Sequence, residues 1–142
     1  MTLPLIEITR ARIGARPGLD VSVETSTGLG RWLAPPAAWE TFRARGMLPD
    51  NAYRERYEEL LGGIPERVFC DLYRYGREQG AIRLLCTCPD GQFCHTLVLA
   101  RWLARRYCDA FYTRLALPGD LDDGDPVVRY AVANLGAVLR LD

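Results

Sequence analysis

The stretch Ala81-Ile82-Arg83-Leu84-Leu85-Cys86-Thr87-Cys88 constrains the fold most. It is a short apolar run with one charge, bounded by Gly80 and Pro89. A run of that length suits a strand covered on both faces, which is the habit of parallel sheets. Parallel strands need helical crossovers, and helical patterns stand on both sides of the run.

Upstream, Leu5 to Ile13 alternates Ile6, Ile8 and Ala11 with polar neighbours and predicts a first strand. Arg16-Pro17-Gly18 is a turn, and Leu19 to Val23 alternates again as a second strand. Glu24 to Gly30 is polar and glycine-bearing and reads as a loop. Ala34-Pro35-Pro36 opens a helix running to about Arg45, closed by Gly46. Asp50 or Asn51 is placed to cap the next helix, with Tyr53, Tyr57, Leu60 and Leu61 as its apolar stripe. Pro65 starts a third helix carrying Val68, Phe69, Leu72 and Tyr75, and Gly80 closes it. Downstream, Pro89 to Gln92 is a turn, and a helix is expected from Phe93 or Cys94 to about Tyr107. Ala110 to Leu115 predicts a further strand. After an acidic loop, Asp125-Pro126 introduces a final amphipathic helix from Val127 to Leu141.

Strands separated by helices define an α/β fold. The expectation is a single three-layer Rossmann-like domain over residues 1–142, with a mostly parallel sheet and an added C-terminal helix. The length of 142 residues fits one domain. No stretch approaches the roughly 20 apolar residues that a bilayer requires. The N-terminus lacks the basic and apolar regions of a signal peptide, and the expected location is the cytoplasm. The 18 basic and 18 acidic side chains cancel, which argues against bulk electrostatic binding to nucleic acid. The sequence leaves the oligomeric state open.

Five cysteines are present, and an odd number without an export signal argues against a disulfide framework. Cys86, Cys88 and Cys94 lie directly before His95, the one histidine. In the expected fold they occupy a strand's carboxyl end and a helix's amino end, where open α/β sheets usually bind ligands. Three readings of the cluster stand side by side. In the first, Cys88 and Cys94 are reactive thiols and His95 is the base or orienting group. The helix start then binds an anionic part of the ligand, such as a phosphate. Thr25, Ser26 and Trp39 line the wall, with Gly91, Gln92 and Phe93 in the loop. In the second reading, Cys86, Cys88, Cys94 and His95 hold zinc, although one residue between paired cysteines is atypical spacing. In the third, the cysteines are small buried hydrophobes. No cofactor is expected outside the zinc reading. Cys70 and Cys108 fall on apolar helical faces and are read as packing, as are Trp32, Trp39, Tyr53 and Tyr57.

The run Leu84 to His95, followed by Leu97-Val98-Leu99-Ala100, resembles the domain-of-unknown-function 488 family. Members carry a hydrophobic strand, a cysteine pair, a glycine-bearing loop and then Phe-Cys-His on a helix. Leu19-Asp20-Val21-Ser22-Val23, Leu33-Ala34-Pro35-Pro36 with Trp39, and the pair Tyr53 and Tyr57 are similar to family positions as well. The likeness spans residues 3 to 115 and leaves 116 to 142 as an extension. It implies a small, soluble, intracellular protein and a functional site at Cys88, Cys94 and His95, without naming a reaction. Two positions depart from it. Glu24-Thr25 stand where many members have lysine, and Thr96 stands where many have arginine after the histidine.

Overall fold

A computed structural model of the chain describes residues 4–14, 16–22, 28–88 and 92–117. In chain order these form β1 (Ile6–Arg12), β2 (Leu19–Asp20), α1 (Gly28–Leu33), α2 (Ala37–Ala44), α3 (Asp50–Gly62), α4 (Glu66–Gln79), β3 (Ile82–Cys86), α5 (His95–Arg106) and β4 (Phe111–Thr113). The strands make one four-stranded sheet in the order β2-β3-β1-β4. Every pairing in it is parallel, so the fold is the Rossmann-like α/β type expected.

The topology decides where the helices go. The crossover from β2 to β3 carries α1 to α4, and the crossover from β3 to β4 carries α5. Both move the same way across the sheet, and right-handed crossovers then put their helices on the same face. The main core agrees, joining Ile6 and Ile8 of β1 with Ile82, Leu84 and Cys86 of β3 and with buried residues of α3, α4 and α5. Side chains alternate along a strand, so these are the even-numbered positions of one face. The described residues thus supply two layers, a sheet and a helical layer. The helix expected over 127–141 lies outside the described residues.

Local signals explain most element ends. Gly80 terminates α4 at φ +87°, a left-handed conformation that glycine adopts without steric cost. Gly76 lets α4 lie close on the sheet, because a Cβ there would sit 2.7 Å from Ile6 Cγ2 and 2.9 Å from Ile82 Cγ1. Pro49, and not Asp50 or Asn51, occupies the N-cap of α3, so Asp50 is its first residue. The segment expected as a loop up to Gly30 already turns helical at Gly28. This α1 is held by Leu33, which is fully buried and whose carbonyl accepts a hydrogen bond from the Tyr57 hydroxyl at 2.5 Å.

Two packing expectations are corrected. Cys70 and Cys108 are exposed, Cys70 on α4 and Cys108 in the turn after α5. Trp32 is 43% exposed, with the Arg67 guanidinium over its ring, because it points away from the stripe that Leu33 buries. Tyr53 and Tyr57 are fully buried, as expected. Among the described residues no helix is long and apolar enough to cross a membrane.

Candidate functional site

The site lies at the carboxyl edge of the sheet, where β3 ends and α5 begins. Cys86 is the last residue of β3 and Cys94 is the N-cap of α5. Both are buried, and their sulfurs stand 3.2 Å apart. The sulfurs of Cys86, Cys88 and Cys94 lie within 4.8 Å of one another. Cys88 is half-buried and is the member of the trio nearest to solvent.

Polar groups converge on these sulfurs. The Thr96 hydroxyl donates to Cys94 Sγ at 3.1 Å, and the Thr96 backbone N–H points to the same sulfur. Hydrogen bonds from the Cys86 and Cys88 thiols, joined by those from Thr96, hold the Cys94 thiol well below the ordinary cysteine range against the opposing effect of burial. The same bonds to Cys86 and Cys94, with burial behind them, push Cys88 upward. Of these two sulfurs, Cys94 is the one on which a negative charge is favoured, and Cys88 is the one held toward the thiol. A helix start with unpaired N–H groups favours an anion there.

The counter-charge comes from Arg10, a residue that the sequence reading did not single out. Its Nη2 donates to Cys86 Sγ at 3.0 Å and to the Cys88 carbonyl at 2.9 Å, and its Nε donates to Thr96 Oγ1 at 3.1 Å. The guanidinium fork, with donors in fixed directions, suits this three-point contact. The available signal was its place on β1. Arg10 shares a face with Ile6 and Ile8, so a charge stands where the alternation calls for a core residue. Its arrival also accounts for Thr96, since a small hydroxyl leaves room for a guanidinium from the neighbouring strand.

His95 is almost fully buried. Its Nε2 donates to the Val21 carbonyl at 2.6 Å, because a carbonyl can only accept. The Nδ1 lone pair therefore faces Cys94 Sγ, 3.8 Å away. Burial lowers the affinity of this ring for a second proton, more than the bond to Val21 raises it, so the ring is neutral.

An aromatic wall closes one side. Tyr57 meets the His95 ring edge-on at 5.8 Å, and Tyr53 meets Phe93 at 5.6 Å. Trp39 stands behind them, edge-on to Tyr53 at 5.5 Å and to Tyr57 at 6.5 Å. It also lines a groove with Trp32, Pro35, Arg56 and Ile64 that includes no cysteine. Gln92 is exposed and Phe93 is half-buried. Thr25, Ser26 and Gly91, expected as ligand contacts, lie outside the described residues. The described donor set close enough to share a metal is Cys86, Cys88 and Cys94, without His95.

The fold and site together define a Rossmann-like α/β protein with a cysteine trio, braced by an arginine, at the carboxyl edge of its sheet. The family described as "Active DUF488-N3 subclade" matches residues 7–107, and the chain belongs to the DUF488 family. No curated protein and no solved structure matches it.

Proposed function

We propose that the protein is a thiol-dependent enzyme acting on a small molecule, with Cys88 as nucleophile. The observation that carries this reading is the placement of Arg10 on Cys86 Sγ, Thr96 Oγ1 and the Cys88 carbonyl. A guanidinium that donates to a sulfur of the trio favours negative charge on the cluster. Cys88 is the sulfur that a substrate reaches. On attack its proton passes to Cys94 Sγ, the sulfur to which the Cys88 thiol donates, and Cys94, once protonated, faces Nδ1 of His95. The start of α5 serves this internal anion. A phosphorylated ligand such as a nucleotide, expected from the helix start, would share those N–H groups with Cys94 and is the less favoured occupant.

The test is alkylation by iodoacetamide with peptide mapping between pH 6 and pH 8. An ordinary cysteine of pKa about 8.5 loses nearly 100-fold in thiolate, and so in rate, over that interval. Cys88 is expected to lose less than about 3-fold, because the proton acceptor stays ionised. An ordinary profile at Cys88 refutes the reading.

The mutual approach of the three sulfurs favours a second reading, a zinc ion on Cys86, Cys88 and Cys94. Against it, Arg10 already brings a cation to Cys86 Sγ. One zinc per chain in freshly purified protein, with the cysteines protected until chelation, decides for the metal.

A further inference from the structure

Tyr53 is fully buried, yet its hydroxyl meets no hydrogen-bond partner among the described residues. Tyr57, one turn further along α3, shows that burial there does not force this, for its hydroxyl reaches the Leu33 carbonyl. The surroundings of Tyr53 point to the cysteine site. Its ring packs on Phe93, the residue before Cys94, and the Arg43 guanidinium lies 5.1 Å from the centre of each of these two rings. After burial, the hydroxyl feels the charges of Glu40 and Arg43 first and those of Cys94 and Cys88 next. An orphaned buried donor on a ring packed against the residue before Cys94 calls for an acceptor that arrives with the substrate.

We infer that the Tyr53 hydroxyl is the oxyanion donor for an acyl substrate, an ester or thioester, whose carbonyl carbon Cys88 attacks. The inference rests on the thiol reading of the cluster and names its substrate class. A neutral hydroxyl suits the single charge that develops on one carbonyl oxygen. A phosphoryl group spreads charge over several oxygens and calls for cations, and both nearby guanidinium groups are engaged, Arg10 with the cysteines and Thr96 and Arg43 with Glu40 and Asp50. In the step, the Cys88 proton moves to the anionic Cys94 sulfur as the Cys88 sulfur bonds to the carbonyl carbon. The carbonyl π pair moves onto oxygen, which accepts from Tyr53. Collapse breaks the carbon–leaving-group bond, expels the leaving group as its anion and leaves a thioester on Cys88.

The experiment compares two probes on wild type, Tyr53→Phe and Cys88→Ser. With p-nitrophenyl acetate, wild type is expected to release p-nitrophenolate in a burst while acetylating Cys88. Tyr53→Phe is expected to slow that burst about 100-fold, the usual effect of losing one oxyanion donor. Alkylation of Cys88 by iodoacetamide builds no oxyanion and is expected to stay within about 2-fold in the variant. An equal burst in wild type and Tyr53→Phe overturns the inference while the thiol reading stands. Failure of Cys88 to react with either probe overturns both. A measurement that needs no variant is the rate of the thiono ester, a poor hydrogen-bond acceptor, relative to the oxygen ester. Wild type is expected to discriminate more strongly than free cysteine, and equal discrimination also overturns the inference.

Discussion

Two tyrosines on one helix give opposite expectations for the same chemical change. Tyr53 and Tyr57 stand four residues apart on α3, and both are fully buried. Removing the Tyr57 hydroxyl takes away its bond to the Leu33 carbonyl and leaves that carbonyl wanting. Removing the Tyr53 hydroxyl takes away a buried donor with no acceptor. A lost bond that strands a buried partner costs about 1–3 kcal/mol, and relief of a buried unsatisfied group returns a similar amount. Tyr57→Phe is therefore expected to lose about 1–3 kcal/mol, and Tyr53→Phe to gain up to about that much. For a chain of 142 residues, an unfolding entropy of roughly 2.1 cal/mol/K per residue makes each kcal/mol worth about 3 °C in Tm. Urea unfolding with unchanged m-values separates these gains and losses from changes in compactness. Loss of stability in Tyr53→Phe refutes the reasoning, because it means that the hydroxyl is bonded in the folded protein. Gain of stability with loss of acylation is the pattern of a group kept for function.

Three further outcomes follow from the geometry. Burial lowers the His95 pKa below its ordinary 6.5, so below that pH the unfolded chain takes up a proton that the folded chain refuses. The stability is full above pH 6.5 and is lost as pH falls below it, by up to about 1.4 kcal/mol per pH unit. His95→Gln is expected to remove this component in urea unfolding at pH 7.5 and 5.5, and an unchanged pH slope counts against a buried neutral ring. Arg10→Lys keeps the charge but cannot span Thr96, Cys86 and Cys88 from one ammonium. It is expected to cost about 1–3 kcal/mol and to give Cys88 the steep alkylation profile of an ordinary thiol, whereas a flat profile removes Arg10 from the account of the thiolate. Gly76→Ala gains about 1 kcal/mol of helix propensity. It sets a Cβ 2.7 Å from Ile6 Cγ2 and 2.9 Å from Ile82 Cγ1. Overpacking of about 1–3 kcal/mol outweighs that gain, so the Tm is expected to fall, and a rise shows that α4 moves freely on the sheet.

The sequence displays the parts of this fold whose signals are local. The apolar run before Cys88 is β3, and Pro65 and Gly80 bracket α4 as cap and left-handed terminator. What it conceals depends on tertiary contact. Gly28-Leu29-Gly30 carries two poor helix formers in a six-residue helix, and α1 exists because Leu33 is buried and bonded by Tyr57. Cys70 sits among apolar residues in the sequence, but α4 buries Val68, Phe69, Leu72 and Gly76, and Cys70 turns away from that face. At the site, the motif displays Cys86, Cys88, Cys94 and His95 because they are neighbours in the chain. Arg10 is 86 positions from Thr96 and is invisible to any local motif.

That separation ties the chemistry of the cysteines to the register of the sheet. Arg10 pairs with Leu84 and Arg12 with Cys86 across the parallel β1–β3 ladder. A slip of one residue turns every side chain of a strand to the opposite face. Here it would turn Arg10 away from the sulfurs and bury Glu7, Thr9 and Ala11 in place of Ile6, Ile8 and Arg10. The apolar face forbids that slip, since Ile6 and Ile8 must meet the helices of the core. The hydrophobic pattern that builds the sheet thereby aims the guanidinium as well. A sulfur cluster whose counter-charge stands on another strand has that charge beside it only when both strands and α5 are assembled. The motif excised as a peptide lacks Arg10, and its cysteines are expected to alkylate with the steep pH profile of ordinary thiols.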